Sequence, residues 1–305
     1  MDYIYNSTDE DEDSLQVPCQ FLEISTITGA MFIIIFILSV VGNVLLLWIL
    51  FTFEKLYLST KIFIINLACS DLIFTASVPF WAVYHLHYWV FGDFLCKFII
   101  WMHFTGLYSS IFVLMAMTVD RFCTVVLNKM RNNNQRKKQY AIGVCVVVWV
   151  ISIGISVYDA FKMELSDDYY CEVSYSDDLR YYFQVPLLFF IPIAIIIFCN
   201  CAIIYTILRT ANRTRHKALS VVFCIVAAYI ICWGPYNIVL LIKDLYKPKD
   251  CDELERLDIV YKVCQILAFS HCCMNPLLCM LNQKVRSHLF YLLCHRVGII
   301  RERAN

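Results

Sequence analysis

The stretch "SSIFVLMAMTVDRFCTVV" (109–126) decides the fold of this chain. It is a long apolar run that meets an adjacent acid and base, Asp120 and Arg121, and then turns apolar again. Charges in an apolar setting cost free energy unless they are paired, lie near water or serve a function. We therefore expect a transmembrane helix here, with the charged pair at the point where the helix leaves the membrane.

Long apolar stretches recur along the whole chain. About 20 residues suffice to cross a bilayer, and the chain of 305 residues is 60% hydrophobic and only 16% charged, unlike a soluble protein. The sequence predicts an all-α membrane protein, a seven-transmembrane helix bundle (25–282) between an acidic N-terminal tail (1–24) and a short tail (283–305). The first span follows an acidic segment, so we interpret it as a true span and not as a signal peptide. The predicted spans are 25–51, 61–84, 96–119, 141–158, 182–208, 218–242 and 259–282.

The two sides implied by seven crossings differ in charge. Lys and Arg together number 25, as do Asp and Glu, and a zero net charge argues against a nucleic-acid partner. Bases concentrate in "NKMRNNNQRKKQ" (128–139), in "RTANRTRHK" (209–217) and after the last span. Acids concentrate in the N-terminal tail and in the loops near 85–96, 159–181 and 243–262. Because basic segments stay in the cytosol, the N-terminus is expected outside the cell and the C-terminus inside.

Four of the 16 cysteines fall on the predicted outer side, where disulfides form. They are Cys19, Cys96, Cys171 and Cys251. Four cysteines allow three connectivities. A bond between Cys96 and Cys171 would hold the intervening loop over the bundle, and Cys19 would then pair with Cys251, but the residues alone leave the pairing open.

Short motifs in successive spans resemble those of the rhodopsin-like (class A) G-protein-coupled receptors. One such motif would be weak support, but these follow in the family's order and spacing across nearly the whole chain. The motifs are "GNVLLLW" (42–48), "NLACSD" (66–71), "DRF" (120–122) in place of DRY, Trp149, Pro192, "CWGP" (232–235) and "NPLLC" (275–279) in place of NPxxY.

Other segments resemble the CC chemokine receptors within that superfamily. The resemblance implies a plasma-membrane receptor that binds a CC chemokine and activates a heterotrimeric G protein through an outward movement of the sixth helix. It also implies the disulfides Cys96–Cys171 and Cys19–Cys251. Departures from the family pattern and an AT-rich codon bias suggest a virus-encoded homologue in a host-cell membrane. The segments are "SVPFWA" (77–82), "FTGLYSSIF" (104–112), "WGPYNIVLL" (233–241) and "LAFSHCCMNPLL" (267–278).

The N-terminal segment "MDYIYNSTDEDEDS" (1–14) combines acids with tyrosines. From the residues alone it is a disordered, solvating tail or a flexible polyanion that steers a basic protein ligand. Its tyrosines are candidate sulfation sites, and Asn6 begins a glycosylation acceptor. The candidate ligand-binding residues of the tail are Tyr3, Tyr5, Asp9, Glu10 and Asp11.

The family comparison also suggests a binding cavity among the spans. His103 stands where amine receptors carry an Asp, and Phe269 stands where opsins carry the retinal Lys. Gln265 replaces the usual Glu of the chemokine receptors, so it can hydrogen-bond a ligand but cannot neutralise a cation. The alternative for the aromatic members is that they only pack the bundle. The predicted cavity residues are Trp81, His103, Tyr108, Trp233, Tyr236 and Gln265.

Asp71 is the one acid that lies within a predicted span, which makes it a candidate functional residue. The family implies that Asn43, Ser110, His271 and Asn275 approach it and that the nest holds Na⁺. The alternative is a protonated, structural carboxyl group. His271 and its neighbouring cysteines lack the spacing of zinc ligands, and the chain carries no catalytic motif, so an enzyme is not expected.

In the family, Asp120 restrains Arg121 until activation, when the arginine meets the G protein. Here Asn200 and Cys279 replace two tyrosines that normally support the active arrangement, so we expect an altered activation balance. The predicted switch residues are Asp120, Arg121, Asn200, Trp233, Asn275, Pro276 and Cys279.

The C-terminal tail begins with "QKVRSHLFYLLCHR" (283–296), in which apolar residues alternate with bases. This pattern predicts a short amphipathic helix on the cytoplasmic membrane surface, with Cys294 as a candidate palmitoylation site. Because no Ser or Thr follows Ser287, weak phosphorylation-dependent desensitisation is expected.

A chemokine-sequestering receptor is the alternative function. A transporter or channel is disfavoured by the odd number of spans, the missing repeat and the lack of charged pore-lining residues beyond Asp71, and a homo- or hetero-oligomer remains open.

Overall fold

The computed structural model describes residues 22–52, 58–127, 134–165, 170–173, 178–210, 216–246 and 251–279. Within these ranges it confirms the all-α bundle, with seven helical segments long and apolar enough to cross a membrane. The elements are α1 Leu22–Thr52, α2 Leu58–Leu86, α3 Gly92–Val125, α4 Asn134–Phe161, β1 Met163–Leu165, β2 Cys171–Val173, α5 Asp178–Thr210, α6 His216–Leu245, α7 Cys251–Phe269 and α8 His271–Cys279.

Helix α3 is the centre of the bundle. In its most apolar window 72% of the residues are buried, against 28% in α4 and 33% in α1, so the outer helices turn apolar side chains toward lipid. Gly106 lets α2 approach α3 closely, because a Cβ at this position would lie 2.5 Å from the backbone nitrogen of Phe74. The close approach brings the polar residues of both helices to the middle of the bundle.

A small antiparallel sheet interrupts the helical pattern at one end of the bundle. Strands β1 and β2 pair with Met163 opposite Val173 and Leu165 opposite Cys171, a hairpin that the sequence did not reveal. A disulfide joins Cys171 to Cys96 at the start of α3 and confirms the expected bond. We call this the disulfide end, and the opposite end, where α3 finishes, the Arg121 end. Cys251 is also disulfide-bonded.

The seventh span differs from the prediction of one segment over 259–282. Helix α7 begins earlier, at Cys251, and ends at Phe269, and α8 continues the crossing after a turn at Ser270. The backbone nitrogen of Cys273 bonds the Ser270 carbonyl at 3.0 Å, which ties the two helices together. The predicted amphipathic helix and Cys294 lie outside the described residues.

Charged residues inside the bundle are the main correction to the sequence analysis. Asp159, Lys162 and Asp258 were expected in outer loops, but Asp159 belongs to α4, Lys162 directly follows it, and Asp258 belongs to α7 together with Lys262, which falls near the start of the predicted seventh span. All four are buried. Helices α4 and α7 extend past their most apolar stretches, and the added turns bury charges that find partners there. Asp71 is therefore not the one charged residue within the described helices.

Candidate functional site

The disulfide end gathers several of the predicted cavity residues. The His103 ring lies 5.7 Å from that of Trp81 and 5.3 Å from that of Phe269, measured between centroids. Its Nδ1 lies 3.1 Å from the Ser77 hydroxyl. The residue that replaces the Asp of amine receptors is therefore packed among aromatic rings and hydrogen-bonded to α2.

A second group at this end joins the predicted Gln265 to two charged residues, Asp258 and Lys262, that the sequence analysis did not single out. Asp258, Lys262 and Gln265 are spaced four and three residues apart on α7, which places them on one face of the helix, and all three are buried. Lys262 Nζ lies 2.6 Å from Asp258 Oδ2 and donates a hydrogen bond of 2.8 Å to Ser25 of α1. His85 of α2 contacts the Gln265 side chain and interacts electrostatically with the ion pair. The four-residue spacing of Asp258 and Lys262 was the signal in the sequence that could have revealed this ion pair.

Tyr108 and Trp233 line a small cavity between α3, α5 and α6. The space open to the centre of a water molecule is about 10 Å³, close to the minimum for one water. The Tyr108 hydroxyl donates a 2.8 Å hydrogen bond to Asp159, which fixes its ring in the wall. Tyr236 lies further toward the disulfide end of α6, where its hydroxyl is 3.3 Å from that of Tyr261. Asp159 is thus a positioning residue that no motif indicated.

Asp71 lies in the middle of the bundle and is held from two sides. Asn275 donates to its Oδ2 at 2.7 Å and Ser110 donates to its Oδ1 at 3.3 Å, while His271 Nε2 lies 3.9 Å from Oδ1. Asn43, expected nearby, bonds the Cys272 carbonyl at 2.9 Å instead. Carboxylate and hydroxyl oxygens suit a hard cation, so Asp71 and Ser110 fit the expected Na⁺.

The Arg121 end is closed by apolar contacts. Asp120 is buried, interacts with Ser59 of α2 and attracts the neighbouring Arg121, which is half-buried. Phe122 packs against the α5 face that carries Ile203 and Ile207, together with Phe223 of α6. A phenyl ring in this cluster ties α3, α5 and α6 by apolar contact, in the place where the family has a tyrosine.

The remaining switch residues are only partly described. Asn200 is buried in α5, one turn before Ile203, and Pro276 and Asn275 are buried in α8. Cys279 ends α8, and its side chain lies outside the described part. The predicted tail and modification residues that lie outside the described ranges are Tyr3, Tyr5, Asn6, Asp9, Glu10, Asp11, Cys19 and Cys294.

Comparisons with known proteins agree with this arrangement. The sequence model of the family described as 7 transmembrane receptor (rhodopsin family) matches residues 42–278. The chain is 38% identical to Chemokine XC receptor 1 of Homo sapiens over 87% of its own length and 81% of the relative. It is 31% identical to C-C chemokine receptor type 3 of Cavia porcellus over 82% of the chain and 73% of the relative. It is 28% identical to C-C chemokine receptor type 1 of Homo sapiens over 97% and 88%. The chain belongs to the rhodopsin family of seven-transmembrane receptors and, within it, to the chemokine receptors, which are receptors and not enzymes.

Proposed function

We propose that this chain is a cell-surface receptor that binds a basic chemokine on its outer side and activates a heterotrimeric G protein. As a member of its family it is a multi-pass protein of the plasma membrane. The observation that carries the proposal is the 38% identity to a chemokine receptor over most of both chains. Because identity to the XC receptor exceeds the 31% and 28% found for two CC receptors, the proposed ligands include C as well as CC chemokines.

The proposed orientation puts the N-terminus and the disulfide end outside. The basic segments then lie in the cytosol, as the charge distribution favours. The acidic tail would steer a basic ligand toward the bundle, and the cavity residues at the disulfide end would meet its inserted segment. The polyanionic character of residues 1–14 supports this interpretation.

Activation in this proposal is a shift between two packings of α6. A ligand that binds the open packing more tightly shifts the population toward it. Trp233 lies in the cavity wall near Pro235, which removes one backbone hydrogen bond inside α6, so pressure on the ring can bend the helix there. At the Arg121 end, Phe122 and Phe223 both pack against Ile203 and Ile207, and these contacts must loosen before Arg121 can meet a G protein. A sodium ion held by Asp71 and Ser110 would favour the closed packing.

Sequestration of chemokine without strong signalling is the second candidate. The apolar cluster of Phe122, Ile203, Ile207 and Phe223 favours a closed Arg121 end, and Asn200 and Cys279 lack the tyrosine hydroxyls that support opening. Cys279→Tyr restores one hydroxyl and is expected to change basal or ligand-stimulated G-protein turnover. No change in either rate would contradict this explanation.

The test is a panel of labelled C and CC chemokines on cells that express the unmodified receptor, read together with G-protein activation. Saturable binding with activation supports the signalling receptor, and binding without activation supports sequestration. Arg121→Ala is the matched control, because it should retain binding and lose activation. Absence of binding by every member of the panel would overturn the proposed function.

A further inference from the structure

We propose that Lys137 of α4 is a positioning residue of the activation switch, and that it pairs with Asp120 when Arg121 leaves this acid to meet a G protein. The inference rests on the proposed function, because it names a second cation that the proposed switch requires. The motif at the Arg121 end supplies only Arg121 as the cationic partner of Asp120.

The first observation is that Asp120 lies where three helices meet. The residue is 5% exposed. Ser59 of α2 donates a hydrogen bond to its carboxylate, and Arg121 of α3 and Lys137 of α4 both attract it. Tyr140, one turn after Lys137, also lies within electrostatic reach of Asp120. The acid therefore faces groups from α2 and α4 as well as from its own helix.

The second observation is that Lys137 lies on the buried face of α4. The buried residues along this helix begin with Ala141, Cys145 and Val148, whose spacing is that of one helix face. Lys137 precedes Ala141 by four residues on the same face and is half-buried, whereas the other residues from 135 to 140 are exposed. A lysine retained only because bases favour the cytosolic side would lie equally well on the exposed face.

The third observation is that the charge of Lys137 is not held by another acid. Among the residues that the structure describes, no carboxylate lies within ion-pair distance of its ammonium group. Arg121 attracts Asp120 more strongly than Lys137 does, so the arginine is the main partner in the closed packing. The flexible four-carbon stem of a lysine allows Lys137 to approach when the arginine withdraws.

A second cation matters because Asp120 is buried. In the proposed activation Arg121 turns from Asp120 toward the G protein. Breaking a buried ion pair by removing one partner is strongly destabilising, so an acid left without a cation would oppose the open packing. Lys137 reduces this cost by pairing with Asp120 in the open packing, and it thereby shifts the population toward that packing.

The experiment measures G-protein turnover in membranes of cells that express the receptor, with the chemokine from the panel that binds the unmodified receptor most tightly. Lys137→Gln should keep saturable chemokine binding and lower stimulated turnover at least about fivefold, the lower end of typical coupling between sites. Lys137→Arg restores a cation and should retain turnover. Lys138→Gln is the matched control, because Lys138 is the next residue in the chain and is exposed. Equal turnover in Lys137→Gln and Lys138→Gln would overturn the inference.

A double-mutant cycle tests whether Lys137 acts through Asp120. Asp120→Asn removes the charge and keeps an acceptor for Ser59, and in this background Lys137→Gln should no longer change turnover. A lysine that contacts the G protein or an anionic lipid directly would lower turnover by the same factor in both backgrounds, and this result would also overturn the inference. Asp120→Ser supplies the same background if Asp120→Asn does not reach the cell surface.

Failure of this inference is distinguishable from failure of the proposed function. An unmodified receptor that activates no G protein fails the proposed signalling function and the inference with it, an outcome visible before any variant is made. An unmodified receptor that signals, together with a Lys137→Gln variant that signals equally well, fails the inference alone.

Discussion

Two buried carboxylates, Asp71 and Asp258, differ in the partners that surround them. Asp71 lies in the middle of the bundle, and Asp258 lies at the disulfide end. Asp71 in the middle accepts hydrogen bonds from Asn275 and Ser110 and lies 3.9 Å from His271. Asp258 at the disulfide end has its ion pair with Lys262 and no well-formed hydrogen bond among the described residues. A buried carboxylate that accepts hydrogen bonds stabilises the interior of the bundle. A buried carboxylate with few hydrogen-bond donors can exchange its partners more readily. The comparison predicts that removing a donor of Asp71 costs more stability than replacing the whole Asp258–Lys262 pair by apolar side chains.

The largest effect on stability is expected for a substitution where α2 and α3 meet near Asp71. Gly106→Val would place a Cβ 2.5 Å from the Phe74 backbone nitrogen, which cannot move without shifting the helix. We expect a loss of about 3 kcal/mol of stability, measured as a lower melting temperature of the purified receptor in detergent. Gly143→Val is the control, since its Cβ would meet no atom within 4 Å. Equal melting temperatures for the two variants would contradict the close packing.

The next largest effect on stability is expected when a hydrogen-bond donor to Asp71 is removed. Asn275→Ala removes the 2.7 Å hydrogen bond and leaves a buried carboxylate oxygen without a donor, at a cost of about 1–3 kcal/mol. Gln265→Ala removes a neutral amide that interacts with His85 and leaves no buried carboxylate without a donor, so it should cost less. Thermal unfolding of the two variants side by side measures the difference. A larger loss of stability in Gln265→Ala than in Asn275→Ala would contradict the comparison.

A smaller effect is expected for Ser110→Ala. Its hydroxyl lies 3.3 Å from Asp71 Oδ1, a long contact for an O–H donor. The expected loss is about 0.5–1 kcal/mol. Ser109→Ala, on the same helix, removes a hydroxyl that bonds only its own helix backbone among described contacts and serves as the control. A cost at Ser110 above that of Asn275→Ala would show that the hydroxyl is the main partner of Asp71.

The same two residues explain what the sequence could and could not reveal. Asp71 interrupts an apolar run in the sequence, and the family resemblance predicted its contacts with Ser110 and Asn275. Asp258 lies just before the predicted seventh span and Lys262 lies in its first turn, where the hydropathy of the sequence resembles that of a loop. Burial there depends on α1, whose Ser25 is 237 residues away in the chain. The seven helices and the Cys96–Cys171 bond were predictable because each follows from local pattern or family motif.

The smallest effect on stability is expected from replacing the whole ion pair. Asp258→Leu with Lys262→Met substitutes apolar side chains for a buried pair, a change that is often neutral or stabilising. The free energy of unfolding of the double variant should therefore lie within about 1 kcal/mol of that of the unmodified receptor. The single variant Asp258→Leu is the informative control, because it leaves a buried lysine without its carboxylate and should unfold more easily than the double variant. If the double variant loses as much stability as Asn275→Ala, the Asp258–Lys262 pair supports the fold as strongly as the contacts of Asp71, and the difference between the two carboxylates does not hold.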